Sequence, residues 1–304
     1  MAISRSQLVK ELEPGLNALF GLEYKRYENQ HAEIYTAENS DRAFEEEVML
    51  SGFANAQVKA EGAGVSFDEA QETFTARYTH ETVALAFAIT EEAIEDNLYD
   101  RLASRYTKAL ARSMSNAKQV KAAAPLNNGL SSIATFKAGD TVSLFSTNHT
   151  TVSGTAVKNT LTTQADLNET SLEQGLIDIA GMTDERGLRV AARGMKMIVP
   201  SANQFAAERL LKSQGRTGTA DNDINAVVSM GMIPQGYRVN NFLTDTDSWY
   251  IVTDVPNGMK MFQRAALKTA MEGDFDTGNV RYKARERYSF GVSDYRGIFG
   301  VEGA

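Results

Sequence analysis

Residues Thr90–Pro125 read TEEAIEDNLYDRLASRYTKALARSMSNAKQVKAAAP, the strongest secondary-structure signal in the chain. Apolar residues recur at Ile94, Leu98, Leu102, Tyr106, Ala109, Leu110, Met114, Ala117 and Val120, the spacing of one helical face. Thr90 suits an N-cap, Glu91 and Glu92 suit the positive end of the helix dipole, and Pro125 predicts the stop. At ~1.5 Å per residue, a helix over 91–124 is roughly 50 Å long, well beyond the usual three to four turns. It predicts the spine of an elongated molecule. Its charges segregate into Glu91, Glu92, Glu95, Asp96 and Asp100, followed by Arg101, Arg105, Lys108 and Arg112. The cations repel at i,i+4, so they form either a solvated face or one opposed to acidic groups of another segment or subunit.

Upstream, residues 1 to about 47 are charged, broken by Pro14 and Gly15, and end in the acidic run Glu45, Glu46, Glu47. Short helical pieces such as Ser6–Leu12 are expected there, without a core of their own. The segment reads as a solvated leader or as an arm lying on a neighbouring molecule. From Gly52 to His80 the pattern is extended. Phe74, Ala76 and Tyr78 alternate with Thr73, Thr75, Arg77 and Thr79, and Asp68–Gln71 is a turn candidate, which predicts a long hairpin. A lone hairpin is marginal in water, so it must pack on its own body or on another subunit. Val83, Leu85, Phe87 and Ile89 then mark one face of a buried strand.

Downstream of the spine, residues 126–169 are rich in Asn, Ser, Thr and Gly and read as short strands and loops. Capping-box spacing at Thr170–Glu173 and at Ser201–Gln204 predicts two helices of about a dozen residues, with one or two strands between them. Pro256-Asn257-Gly258 marks a turn. The chain closes on Arg281–Gly300, RYKARERYSFGVSDYRGIFG. As a strand, this places Val280, Tyr282, Ala284, Glu286, Tyr288, Phe290 and Val292 on one face and Arg281, Lys283, Arg285 and Arg287 on the other. Four cations in a row need partners.

Composition narrows the function classes. The 304 residues carry 42% hydrophobic and 23% charged side chains, enough for a sizeable core and about two structural units at roughly 150 residues each. No apolar run is long enough to span a bilayer. Cysteine is absent, which removes thiolate chemistry, disulfides and cysteine-based zinc sites together. A net charge of −8 argues against a dedicated nucleic-acid binder, although local basic faces can exist within that total. His31, His80 and His149 are far apart, with no zinc-binding spacing. Asp221-x-Asp223-x-Asn225 has Ala226 where a calcium loop needs glycine and Met232 where it needs glutamate. No phosphate-cradling glycine loop and no nucleophile elbow are present, so neither a catalytic residue nor a cofactor is assigned.

The order of elements resembles a tailed-phage major capsid protein, an α+β chain of the HK97-like fold, and is most similar to the Mu-like head subunit group. SDRAFEEEVMLSGF, RYTHETVALAFAITEEAIEDNLYDRLASRYTKALARSM and DFDTGNVRYKARERYSFGVSDYRGIFG carry the resemblance. It implies an N-terminal arm at 1–50, an extended E-loop at 51–81 and a peripheral (P) domain at 82–184 with its spine helix at 91–124. An axial (A) domain at 185–255 and returning P-domain strands at 256–304 complete it. It also implies self-assembly into hexamers and pentamers as an icosahedral shell around double-stranded DNA, in the host bacterial cytoplasm and then as the virion capsid. A separate scaffold protein, a head protease and a portal are the expected partners, with no membrane. A cellular nanocompartment shell of the encapsulin type keeps the fold and changes the role; an α/β enzyme with an unrecognised site is the remaining alternative. On this reading Arg281, Lys283, Arg285 and Arg287, with Arg77 and the spine cations, face a neighbouring subunit or DNA phosphate. The Glu45–Glu47 run is the favoured acidic counterpart.

Overall fold

The computed structural model describes residues 5–90, 92–93, 99–131, 138–216, 223–274 and 278–303. Helix α1 spans Arg5–Arg26, and strands β1 (Thr36–Asn39), β2 (Phe44–Leu50), β3 (Glu72–Thr79) and β4 (Glu81–Ile89) follow. Next come the spine helix α2 (Tyr99–Asn127), β5 (His149–Thr150), β6 (Ala156–Val157), α3 (Glu169–Ala180), β7 (Gly194–Val199) and α4 (Gln204–Lys212). The chain ends with α5 (Ala226–Ser229), β8 (Tyr237–Val239), β9 (Trp249–Thr253), β10 (Met259–Gly273), β11 (Val280–Val292) and β12 (Ile298–Val301).

Two four-stranded sheets organise the molecule. The first has the order β1-β10-β11-β4, and the second β12-β9-β7-β8. In the first, β11 runs antiparallel to both neighbours, with Ala284 opposite Thr269 on one side and Leu85 on the other. Its inner face lies under the helices. Phe20 of α1, Leu110 and Met114 of α2, and Tyr282 and Ala284 of β11 share one buried cluster. The second sheet packs Trp249, Ile251 and Phe299 against Leu172, Leu176 and Ile179 of α3. Tyr250, Ile198, Tyr288 and Leu126 form a cluster that joins the two halves.

Several expectations change. Helix α1 runs through Pro14. Proline removes one helical donor there, but burial of Leu16 and Phe20 and two bonds to Asn17 Oδ1, from Thr269 and Tyr282, hold the helix on the body. From Leu16 to Phe20 the first segment is therefore packed on the chain's own body rather than solvated, still without a core of its own. Of the predicted helix 91–124, residues 91 and 94–98 lie outside the described residues. Where α2 is described, its buried stripe is Ala103, Thr107, Leu110, Ala111, Met114, Ser115, Lys118, Gln119, Ala122 and Ala123, whereas Tyr106 and Val120 are about half exposed, at 49% and 50%. Small residues let α1 approach closely, so the contact stripe is rotated from the largest side chains. Pro125 does not end α2, which continues to Asn127. The freed end is capped instead: Tyr35 donates to the Ala122 carbonyl at 2.7 Å and Tyr250 to that of Leu126 at 3.2 Å.

The hairpin also differs. Its outgoing strand is β2, so Glu46 lies opposite Arg77 and Phe44 opposite Thr79. Residues 51–71 between the paired strands contain no helix or strand. A hydrogen bond from Ser51 N to the Gln71 carbonyl, 2.8 Å, closes the base of this extension. Helix α3 is capped two residues earlier than the Thr170 motif predicts. Asn168 Oδ1 accepts from Ser171 N at 2.9 Å while Ser171 Oγ accepts from Asn168 N at 3.0 Å.

Candidate assembly surface

The alternation of β11 produces the basic ribbon. Val280, Tyr282, Ala284, Glu286 and Tyr288 point inward and are buried; Arg281, Lys283 and Arg285 are exposed, and Arg287 is half-buried. On the same outer face the pairing puts Ala88, Ala86, Ala84 and Thr82 of β4 beside these cations, and Lys268 of β10 opposite Arg285. Arg281 pairs with Asp274 at 2.5 Å. Among the described residues, no ion pair engages Lys283, Arg285 or Lys268. The surface is thus a strip of small side chains and cations.

The acidic run expected to oppose it is used within the chain. Glu46 meets Arg77 at 3.6 Å across the hairpin, and the Arg77 guanidinium sits 4.0 Å over the Phe44 ring. Glu47 reaches inward to Lys260 at 2.5 Å, whose other partner is Glu38 at 3.0 Å. Glu45 accepts from Ser40 Oγ at 2.7 Å. On α2, Arg105, Lys108 and Arg112 are exposed, and Arg112 lies 5.8 Å over the Tyr27 ring. The Arg101 side chain lies outside the described residues. Because α2 covers the inner face of the sheet, these spine cations and the ribbon belong to different layers.

The hairpin root is fixed by buried polar contacts. Tyr78 Oη and Ser293 Oγ are 2.5 Å apart, and Ser293 also donates to Glu47. His80 links three strands: Ser40 gives its proton to Glu45, so His80 Nε2 donates to Ser40 Oγ and Nδ1 accepts from Ser289 Oγ, each at 2.9 Å. Burial first, then the nearby Arg287, lower the His80 pKa, in keeping with this neutral arrangement. The Ser40 hydroxyl is buried and committed, so the serine–histidine contact is a clasp and offers no nucleophile.

The second internal charge site is a triad across layers. Lys118 of α2 donates to Glu286 of β11 at 3.2 Å, Tyr24 of α1 donates to the same carboxylate at 3.4 Å, and the Lys118 ammonium lies 5.1 Å from the Tyr288 ring centre. Burial raises the Glu286 carboxyl pKa, with Lys118 opposing. Sequence reasoning placed Glu286 on the apolar face of its strand and missed its partner. The available signal was Lys118, which falls on the buried stripe of α2. A third buried group joins the halves: Arg296 pairs with Glu185 and, at 3.4 Å, with Asp294. Beside it His149, bonded to Asp140 at 2.5 Å, stacks on Tyr295 with centroids 3.9 Å apart. Among the described residues no group of acids and histidines is arranged to hold a metal, and no helix is long and apolar enough to cross a membrane.

Residues 51–71, by contrast, expose what a folded chain normally hides. Val58 is 100% exposed, Phe67 97%, Val65 69% and Phe53 61%. Such side chains on a thin extension are left open to contact with another surface. A sequence-family model described as phage capsid protein matches residues 72–301, from the returning hairpin strand to the last strand. The chain belongs to that family. No curated protein matches this phage capsid protein in sequence. Its fold is that of solved shell proteins. Against the capsid of an empty GTA particle the TM-score is 0.59 at 13% identity, covering 91% of each chain. Against a procapsid of bacteriophage JBD30 it is 0.54 at 14% identity, covering 99% of this chain and 77% of that one. A virus-like particle from Pyrococcus furiosus gives 0.53 at 10% identity, covering 95% of this chain and 98% of that one. The phage capsid protein is thus a structural component of a virion capsid and not an enzyme, and its fold is HK97-like, with a mixed α and β body.

Proposed function

We propose that this chain is the major head protein of a tailed phage, forming hexamers and pentamers that build an icosahedral shell around double-stranded DNA. Assembly takes place in the host bacterial cytoplasm, with a separate scaffold protein, a head protease and a portal as partners. The observation that carries the reading is the 51–71 extension. Its exposed Phe53, Val58, Val65 and Phe67 have no internal partner to cover them, and copies of the same chain supply one. The family favours a virus over a cellular nanocompartment.

Charge supports a contact between copies. The extension carries Glu61, Asp68 and Glu69 against a single Lys59, while the ribbon offers Lys283, Arg285, Arg287 and Lys268. With Glu46 and Glu47 spent inside the chain, the extension replaces the Glu45–Glu47 run as the acidic counterpart. DNA phosphate is the competing partner for the same cations. Replacing residues 55–67 with a short Gly-Ser linker is the primary test: a folded protomer without shells in electron micrographs is expected, and normal shells would overturn the reading. Lys283→Glu with Arg285→Glu separates the partners. Loss of shells assigns the ribbon to a neighbour, whereas normal empty shells that fail to retain DNA assign it to phosphate.

A further inference from the structure

The hairpin is held to its own subunit at three levels of unequal strength. At the root, Lys260, Glu47, Tyr78 and Ser293 form the buried network described above. Midway, the Phe74 ring fills a notch over Gly139, where an added Cβ would come within 2.3 Å of it. Beyond the paired strands, where the extension begins, one side chain makes the contact. Arg186 donates through Nη2 to the Glu69 carbonyl, and the same Nη2 lies 3.9 Å from the Asp68 carboxylate. Asp68 accepts the N–H groups of Ala54 at 2.7 Å and Glu69 at 2.9 Å, which ties the two limbs of the extension together behind that contact. Backbone donors, and to a lesser degree Arg186, lower the Asp68 pKa.

The loop that carries Arg186 is itself immobilised. The preceding Glu185 is buried and bonded to Arg296, and Asp184 Oδ1 accepts from Arg186 N at 2.9 Å and Leu188 N at 2.8 Å. Arg186 therefore projects from a rigid mount. Its own grip is incomplete: Nε is buried without a partner among the described residues. A firm root, a firm mount and a half-satisfied guanidinium describe a contact built to hold and to release.

We propose that Arg186 is a latch: it keeps the base of the extension on its own subunit before assembly and yields Asp68 to the cations of a second copy. The release half rests on the shell-forming function proposed above; the latch itself does not. The chain has no cysteine, so Ala63→Cys with Thr162→Cys, both exposed sites, accept spin labels specifically. Pulsed EPR on the unassembled protein is expected to show one narrow distance distribution. Arg186→Ala should broaden it about twofold, as local contacts that hold a mobile segment are lost. Arg186→Lys should restore it, because an ammonium can still donate to the Glu69 carbonyl. Asp68→Ala, at an exposed site, should broaden it as well and guards against a folding defect at Arg186. An unchanged distribution in both variants overturns the latch. In assembled shells the parent distance should leave the latched value; its persistence overturns release. Failure to form shells would count against the proposed function and leave the first result standing.

Discussion

Glu286 shows what one side chain can hold together. It is 1% exposed and bonds the N-terminal helix through Tyr24 and the spine through Lys118. Glu286→Ala leaves a buried ammonium unpaired and is expected to cost about 3–5 kcal/mol in chemical denaturation, whereas Glu286→Gln, which can still accept from Tyr24, should cost less. His31, packed on the same helix, gives a pH signature. Burial, then Lys118, lowers its pKa from 6.5 to about 4. The unfolded chain therefore binds the proton that the folded chain refuses, so stability is lost as pH falls through that window, up to about 3 kcal/mol. His31→Leu should flatten the acid side of the stability profile. The inward position of Glu286 was legible, because a strand has a strict period of two. Its partners were not, because Lys118 and Tyr24 come from elements far apart in sequence, and spacing says nothing of such contacts.

Elements were legible in proportion to how far local pattern governs them. The spine helix and the β11 alternation could be read directly; the hairpin register could not. Thr73 to Thr79 looked like half of a hairpin, but its partner is the acidic Phe44–Leu50 stretch, whose charges disguised a strand. Glu47 is tolerated there because Lys260 meets it, a fact with no local trace. The same root makes a testable demand on Gly291. A Cβ at that position would lie 2.6 Å from the Tyr78 ring, which is buried and bonded to Ser293. Gly291→Ala should lower stability by about 1–3 kcal/mol in thermal unfolding, since neither strand can move aside. Pro14 and Pro125 misled for a related reason: a proline's cost is local, and tertiary burial on α1 and tyrosine caps on α2 offset it.

At the largest scale, the described residues build two four-stranded sheets, two short two-stranded ones and a thin extension, with a row of exposed cations on one outer face. Exposed attraction is screened by salt, and the Debye length falls from ~10 Å at about 0.1 M to ~3 Å at about 1 M. If the proposed charged contact joins copies, assembly followed by light scattering should weaken over that range, and assembly unchanged by salt would count against it. The overall architecture could be inferred from element order, but the candidate assembly surface could not be completed from sequence, because the ribbon needs alanines from β4 and Lys268 from β10 to become a strip. Chain order adds a further consequence. The strand joining β10 to β4 begins at Val280, and the strand completing the second sheet ends at Val301. A chain made only as far as β10 carries the acidic extension but lacks both the basic strand and a closed second sheet. The proposed contact between copies is therefore open only to chains that have already folded these late strands.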